Sequence, residues 1–216
     1  MTDTKEQILI TALHLFARDG YEAVSVSAIA GELGITKGAL YRHYKNKRDI
    51  FDSIVERMYQ TDAERSREYN MPVDTYEQQP GQYENTSLES IERFTVEQFR
   101  FWTEDDFASH LRKMLALEQY RSAEMAELYH GCITSGPVAY MEDVFRELMK
   151  KGVLRKDDAR QLAFEFYAPF LLLLNMYDAT GEGDNLTEIL KKHIGRFFRC
   201  HVAEPGEGKE TYEKRN

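Results

Sequence analysis

Residues 34–51 read GITKGALYRHYKNKRDIF, a short basic stretch in an acidic chain. Its five cations are not interrupted by any acid from Thr36 to Arg48; they are Lys37, Arg42, Lys45, Lys47 and Arg48. The 216-residue chain has a formal net charge of −9. Residues 1–60 carry eight cations and eight acids, so the whole negative charge lies in residues 61–216. We therefore expect a polyanionic partner to be tolerated only at this basic window.

The window belongs to a predicted pair of short helices near the N-terminus. Apolar residues with helical spacing predict a first helix that Gly20 ends. A second helix, capped by Ser25 and ended by Gly34, precedes a third over residues 37–44. A turn as short as residues 34–36 forces the two helices to cross. This spacing is typical of a helix-turn-helix.

The positions of the cations suggest what this pair of helices binds. Lys37 lies in the first turn of the third helix, and Lys47 and Arg48 lie in the first turn of a fourth helix capped by Asn46. Cations at helix N-termini are unfavourable by ~0.3–1 kcal/mol each. Bound phosphates reverse that cost, because free backbone N–H groups there bind anions. DNA binding is one interpretation; an ordinary helical hairpin with a solvated charged face is the other.

The remainder of the chain also has helical periodicity, and no strand alternation is visible. Residues 70–86 are rich in amides and proline and predict a mobile linker. Gly136-Pro137 predicts a break or kink, and Asn185 predicts the N-cap of the last helix. The expected fold is all-α, with a three-helix helix-turn-helix domain (1–46), a larger helical ligand-binding and dimerisation domain (47–203) and a disordered tail (204–216).

Residues from about 5 to 58 resemble the N-terminal domain of the tetracycline-repressor (TetR) family of bacterial transcription regulators. The most specific part is GITKGALYRHYKNK, in which Tyr44 stands where the family more often has phenylalanine. The resemblance implies DNA contacts: backbone contacts from the second helix, major-groove contacts from the third, and a phosphate clamp at the fourth. The residues concerned are Ser25, Ser27, Thr36, Lys37, Gly38, Ala39, Tyr41, Arg42, His43 and Lys47.

A homodimer is expected from the last two helices. The segment 162–177 is apolar on nearly every face, so it needs cover on every face. The predicted interface comprises Phe166, Phe170, Leu173, Leu174, Leu190, Ile194, Phe197 and Phe198. Two-fold symmetry would then match a quasi-palindromic operator. The alternative is a fully buried central helix within a monomer.

A small, largely apolar inducer is expected between the central helices. Aromatic and methionine side chains suit such a ligand, and the candidates are Phe99, Trp102, Met114, Tyr120, Tyr140 and Met141. At helical spacing these residue types are also typical of plain core. A ligand wedged there would shift the fourth helix and change the separation of the two recognition helices in the dimer.

Other chemistry is not indicated. His110 and His130 with Glu118 or Cys132 are a weak combination for a metal, so we expect neither metal nor cofactor. Cys132 and Cys200 do not make a disulfide framework, which favours a reducing cytoplasm. The longest apolar stretch, residues 169–174, falls short of the ~20 residues that a membrane span needs. No catalytic constellation stands out, so we do not expect an enzyme.

The sequence therefore predicts a cytoplasmic, homodimeric, ligand-responsive DNA-binding regulator that acts as a repressor. The alternative is a helical-bundle enzyme or carrier whose N-terminal hairpin is structural. A nucleoid protein without sequence preference is disfavoured, because only one face is basic and the net charge is negative. Steep loss of DNA affinity with rising salt would distinguish a DNA-binding protein from the enzyme or carrier.

Overall fold

A computed structural model describes residues 3–75, 77–181 and 183–203 of the chain. Regular structure in these residues is helical, apart from one isolated bridge between Leu154 and Val202. The prediction of an all-α fold is confirmed. None of the helices within the described ranges combines the length and the apolar character needed to cross a bilayer. The predicted tail, 204–216, lies outside the described residues.

The α-helices, in chain order, are α1 (Thr4–Asp19), α2 (Val26–Glu32), α3 (Lys37–Leu40), α4 (Lys47–Glu68), α5 (Leu88–Glu104), α6 (Asp106–Glu118), α7 (Ala123–Ile133), α8 (Ser135–Lys150), α9 (Ala159–Thr180) and α10 (Gly183–His201). A 3₁₀ helix, Pro80–Asn85, lies between α4 and α5.

The described residues form two compact units. The N-terminal unit contains those within 1–65 and 101–131, and the C-terminal unit contains those within 66–100 and 132–216. Helices α4, α5 and α7 contribute residues to both units. The domain boundaries expected from the sequence, after residues 46 and 203, stay predictions.

The core of the N-terminal unit is built on α1, which packs against α2 and α6. One face of α1 is fully covered; its buried residues are Ile8, Leu9, Ala12, Leu13, Leu15 and Phe16. Asp3 caps the start of the helix by accepting a hydrogen bond from the Lys5 amide. Gly20 ends it, as predicted, with a φ of 89° that glycine adopts without strain.

The loop after α1 is anchored to the end of α6. The backbone N–H of Tyr21 donates to Oε1 of Glu118 over 3.1 Å, and Arg121 donates to the same oxygen. Glu118 is only 2% exposed. A Cβ on Gly20 would lie 2.7 Å from this oxygen, so a side chain there would push the carboxylate away. Glycine at position 20 therefore serves both the turn and the buried hydrogen bond.

Aromatic rings on three helices form the core of the C-terminal unit. Phe166 of α9 lies between Phe145 of α8 and Phe197 of α10, with ring centroids 5.4 and 5.1 Å away. The Tyr167 hydroxyl donates to the carbonyl of Ile133 at 2.8 Å. These contacts join α7, α8, α9 and α10, so the segment that reads as apolar on nearly every face is largely covered within one chain.

The stretch predicted as a linker contains local structure and tertiary contacts in its described residues, 70–75 and 77–86. Tyr83 of the 3₁₀ helix is buried, and its hydroxyl donates to the Asp74 carbonyl over 3.1 Å. Lys151 donates to the carbonyls of Tyr83 and Glu84, both at 2.8 Å. A composition rich in amides and proline predicts irregular backbone, but it does not reveal that one aromatic side chain anchors the segment.

Two further local predictions are corrected. The helical conformation is interrupted at Thr134, between α7 and α8. Pro137 lies in the first turn of α8, where backbone N–H groups have no partner within the helix, so the missing N–H of proline costs nothing. Helix α10 begins at Gly183, so Asn185 lies inside the helix and is not its N-cap.

Replacing Glu118 tests the anchor between α6 and the loop. We expect Glu118→Ala to lower the free energy of unfolding by about 1.5–3 kcal/mol, because the partly buried Tyr21 amide loses a charged acceptor. Glu118→Gln keeps an acceptor oxygen and should cost less. Urea denaturation measures both. The control is Glu127→Ala at an exposed position of α7; a Glu118→Ala value equal to the control would contradict the anchor.

Candidate DNA-binding surface

Side-chain caps build the helix-turn-helix of the N-terminal unit. Ser25 Oγ accepts from the Ala28 amide at 3.1 Å and starts α2. Thr36 Oγ1 accepts from the Ala39 amide at 3.1 Å and starts α3. Gly34, between the two helices, has a φ of 65°, which a glycine supplies at a turn. The predicted starts of both helices are confirmed.

Helix α3 is shorter than predicted. It spans Lys37–Leu40 instead of residues 37–44, and tighter turns follow, with the His43 amide donating to the Leu40 carbonyl at 2.9 Å. Leu40 and Tyr44 are buried, as predicted, and the Tyr44 hydroxyl donates to the Lys5 carbonyl at 3.3 Å. Burial raises the pKa of Tyr44 to about 12. One helical turn has little dipole, so the anion site expected at the N-terminus of α3 loses its physical basis.

Two of the five cations in the basic window are held by the protein itself. Arg48 pairs with Asp52 through Nε at 2.6 Å and binds Glu124 of α7 with both terminal nitrogens. These hydrogen bonds lower the pKa of the Glu124 carboxyl below its usual value. Lys47 Nζ donates to the Tyr21 carbonyl at 2.9 Å and lies 4.3 Å from the centre of the Tyr21 ring.

The position of Lys47 bears on the phosphate clamp expected from the sequence. Nζ also approaches the Glu22 carbonyl at 3.4 Å, so two of its three N–H groups face the loop after α1. The phosphate contact stays a prediction. Removing Lys47 would disturb this loop as well as any DNA contact, so Lys47→Ala is a poor probe of DNA binding.

The other three cations are exposed and lack a partner. The side chains of Lys37, Arg42 and Lys45 make no hydrogen bond or ion pair with any residue that the structure describes. They lie within nine consecutive residues of the helix-turn-helix, and Tyr41, half exposed, lies among them. The surface that carries these four side chains is called the basic face below.

Gly38 also lies in this stretch, and nothing in the protein requires a glycine there. A Cβ added to Gly38 would meet only Thr36 Oγ1, at the ordinary contact distance of 3.9 Å. Its φ is not positive. Glycine within a helix costs roughly 0.5–1 kcal/mol relative to alanine, so its presence here has no explanation within the fold.

All ten residues predicted to contact DNA lie on the helix-turn-helix or directly after it, and none of them is buried. Ser25, Ser27, Thr36, Lys37, Gly38, Tyr41 and Arg42 are exposed, and Ala39, His43 and Lys47 are half-buried. Their contacts with DNA stay predictions.

The six residues expected around an inducer are divided between the two units. Trp102 and Met114 are buried in the N-terminal unit, whereas Tyr120 of that unit is 88% exposed. Phe99, Tyr140 and Met141 belong to the C-terminal unit. A cleft of about 500 Å³ in the C-terminal unit is lined by charged side chains, including Glu142 and Arg146, and by none of the six. An inducer site made by these six residues stays a prediction.

The eight residues predicted at a dimer interface belong to the core of the single chain. Phe166, Phe170, Leu173, Leu174, Leu190, Ile194, Phe197 and Phe198 are all buried without a partner. These side chains are covered within their own unit, and their part in a dimer interface stays a prediction. The exposed apolar side chains of the two helices are instead Phe164 (47%), Leu172 (60%), Met176 (41%) and Ile189 (43%).

Comparison with known proteins identifies the N-terminal segment. Residues 8–54 match the model of the family described as bacterial regulatory proteins, tetR family. The HTH-type transcriptional regulator AcrR of Shigella flexneri is 25% identical over 146 residues, which are 68% of this chain and 57% of AcrR. The chain thus spans little more than half of that relative. YerO of Bacillus subtilis, an uncharacterized HTH-type transcriptional regulator, is 43% identical over 56 residues, 26% of this chain and 19% of YerO.

The fold of nearly the whole chain resembles a solved structure. SmeT, described as the repressor of the Stenotrophomonas maltophilia multidrug efflux pump SmeDEF, superposes in its complex with triclosan with a TM-score of 0.66. That match is 21% identical and covers 93% of this chain and 92% of SmeT. The helix-turn-helix segment, residues 8–54, is thus similar to that of the tetR family of bacterial regulatory proteins, and the likeness to SmeT concerns the fold.

Proposed function

We propose that this protein is a transcriptional regulator that represses by binding duplex DNA through the basic face. The observation that carries the proposal is a group of three exposed cations, Lys37, Arg42 and Lys45, whose side chains have no partner among the described residues, in a chain of net charge −9. Cations so close together repel one another unless anions lie between them, and a phosphate backbone supplies those anions. The match of residues 8–54 to the tetR family and the names of AcrR and SmeT as regulator and repressor support it.

The proposed contacts are of two kinds: contacts with phosphates, which position the protein on DNA, and contacts with bases, which recognise the sequence. Lys37 and Lys45 bind phosphates, which set the register on the duplex. Arg42 is long enough to read a guanine edge with two nitrogens, and Tyr41 can contact a thymine methyl or a phosphate. The hydroxyls of Ser25 and Thr36 accept from amides as helix caps. Each keeps its own O–H, which can still donate to a phosphate oxygen.

Gly38 would let the backbone of α3 approach the major groove closely. The neighbours of Gly38 leave room for a methyl group, so the fold does not require glycine there. We attribute the glycine to close contact with DNA. This second observation is independent of charge and concerns the same short segment.

The regulator is proposed to act as a homodimer through exposed side chains of α9 and α10. Phe164, Leu172 and Met176 recur at intervals of eight and four residues and so share one face of α9. A second copy that covers this face would remove large apolar side chains from water. The operator would then contain two related half-sites.

The proposed signal is a small, largely apolar ligand bound in the C-terminal unit, where Phe99, Tyr140 and Met141 are candidates. One SmeT structure is a complex with the small molecule triclosan. Such a ligand would favour the conformation with lower DNA affinity and so release the operator. A cytoplasmic location follows from the proposed role. None of the observations on the described residues favours the alternative of an enzyme or a carrier.

DNA binding is tested with fragments from the region upstream of the chain's own gene. We expect a footprint, and an affinity that falls steeply with salt. Lys37→Ala and Lys45→Ala should each lower the magnitude of the slope of log K against log [salt] by about 1.8 for the dimer, because each removes one phosphate contact per protomer, worth about 0.9. Lys192→Ala, an exposed lysine of α10, is the control and should leave the slope unchanged. Equal slopes for all four proteins would refute the basic face as the DNA-binding surface.

The substitution Gly38→Ala tests whether this glycine is needed for the stability of the fold or for DNA binding. Gly38→Ala should leave the melting temperature unchanged or raise it, since the methyl fits and alanine favours a helix. DNA affinity should fall roughly tenfold or more, as for the loss of one good base contact. Gly31→Ala, in α2 with no atom within 4 Å of the new Cβ, is the matched control and should retain affinity. Unaltered affinity in Gly38→Ala would argue against close approach at this position.

The dimer is tested at the most exposed leucine of α9. We expect Leu172→Glu to give a monomer in sedimentation-velocity experiments at concentrations where the parent is a dimer, because a carboxylate would be buried in the interface. Leu117→Glu, on α6 and 47% exposed, is the control for a surface leucine and should remain dimeric. A dimeric Leu172→Glu protein would exclude this face of α9 from the interface.

A further inference from the structure

Three side chains that bind metals in other proteins meet where α1 packs on α6. His14 lies on α1, and Asp106 and His110 lie in the first part of α6, all within the N-terminal unit. One nitrogen from each imidazole and one carboxylate oxygen lie within 4.8 Å of one another. His14 and Asp106 are 92 residues apart in sequence, so only the fold brings the three together.

The geometry within this group, the His14–Asp106–His110 cluster, is compact. His14 Nε2 lies 2.8 Å from Asp106 Oδ2, and His110 Nδ1 lies 3.4 Å from Asp106 Oδ1. The two imidazole centroids are 4.1 Å apart, with the ring planes tilted by 38°. Two imidazoles and a carboxylate this close together form a donor set that suits a cation.

A backbone contact also orients the ring of His110. Its Nδ1 lies 2.7 Å from the Asp106 carbonyl oxygen, one helical turn earlier. The same Nδ1 lies 3.4 Å from Asp106 Oδ1, so an ion bound by Nδ1 would replace this hydrogen bond, and an ion bound by Nε2 would keep it.

These dimensions fit a divalent transition metal. Zinc takes nitrogen ligands at about 2.0–2.1 Å and carboxylate oxygen at about 2.0–2.2 Å, so tetrahedral ligand atoms lie about 3.4 Å apart. The two separations of a ring nitrogen from an Asp106 oxygen, 2.8 and 3.4 Å, lie below and at that value. An ion would replace the proton between His14 and Asp106, and a water molecule would complete four-fold coordination. Two imidazoles favour zinc, cobalt, nickel or copper over magnesium or calcium.

We propose that the His14–Asp106–His110 cluster binds one divalent transition-metal ion, which cross-links α1 to α6. The carboxylate and both rings are at least partly exposed, so an ion can enter from solvent. The combination of His110 and His130 with Glu118 or Cys132, weighed from the sequence, does not form a ligand group of this kind among the described residues.

A bound metal would add a second link between α6 and the segment formed by α1 and the loop that follows it. Glu118, at the end of α6, binds the loop that follows α1. Asp106, at the start of α6, binds α1 itself. With a metal at that first position, both ends of α6 would be fastened to the segment that leads into the helix-turn-helix. Metal binding should therefore raise the melting temperature of the protein.

The test uses the full chain without an affinity tag, treated with a chelator and then dialysed. Zinc chloride is titrated by calorimetry, and cobalt chloride is titrated by visible absorption, which reports coordination geometry. We expect one ion per chain and a higher melting temperature with zinc. His14→Ala and His110→Ala should each weaken zinc binding roughly 100-fold or more, since even the loss of an outer-shell partner costs 10–100-fold. Asp106→Asn should also weaken binding and abolish the stabilisation by zinc.

His130→Ala is the matched control, because it removes an exposed imidazole of the same unit outside the cluster. It should bind zinc as the parent does. Melting curves without metal establish that each variant is folded. The proposal is overturned if the parent binds no zinc at micromolar concentrations. It is equally overturned if His14→Ala and His110→Ala both bind zinc with the parent's affinity and stoichiometry.

Discussion

The burial of Leu40 and Tyr44 is the constraint on which the basic face depends. Helix α3 has only four residues, and a single helical turn is not stable by itself in water. Its position is therefore set by its attachment to the core of the N-terminal unit, where both side chains are covered and the Tyr44 hydroxyl reaches a carbonyl of α1. With these two residues inside, Lys37, Arg42 and their neighbours are left outside.

Electrostatics then divides the basic window into two parts. Arg48 and Lys47 satisfy acids and carbonyls of the protein, and both contact segments distant in sequence. Lys37, Arg42 and Lys45 have no such partner among the described residues. One part of the window thus fastens α4 to its surroundings, and the other is available to a polyanion. Because the chain has a net charge of −9, the rest of it would repel a polyanion, and such a partner can bind only at these three cations.

The N-terminal unit is more than the helix-turn-helix. Helix α6 packs on α1, its carboxylate Glu118 holds the Tyr21 loop, and Tyr21 in turn receives Lys47 at the start of α4. Through this chain of contacts α6 is joined to the helices that carry the proposed DNA contacts. A ligand or ion that alters α6 would therefore act on the unit that carries the proposed DNA contacts, without any change in the recognition segment itself.

The sequence alone determined the parts of the fold that depend on near neighbours. Gly20 and the caps Ser25 and Thr36 act within four residues, so their roles could be read directly from spacing. Only the tertiary structure decided which cations remain free, since Glu124 lies 76 residues from Arg48. It also decided which apolar residues of α9 are core and which are exposed, because a helix apolar on nearly every face gives no periodic signal for either side. The contact between His14 and Asp106 also depends on tertiary packing, because the two residues are 92 positions apart and no local sequence pattern relates them.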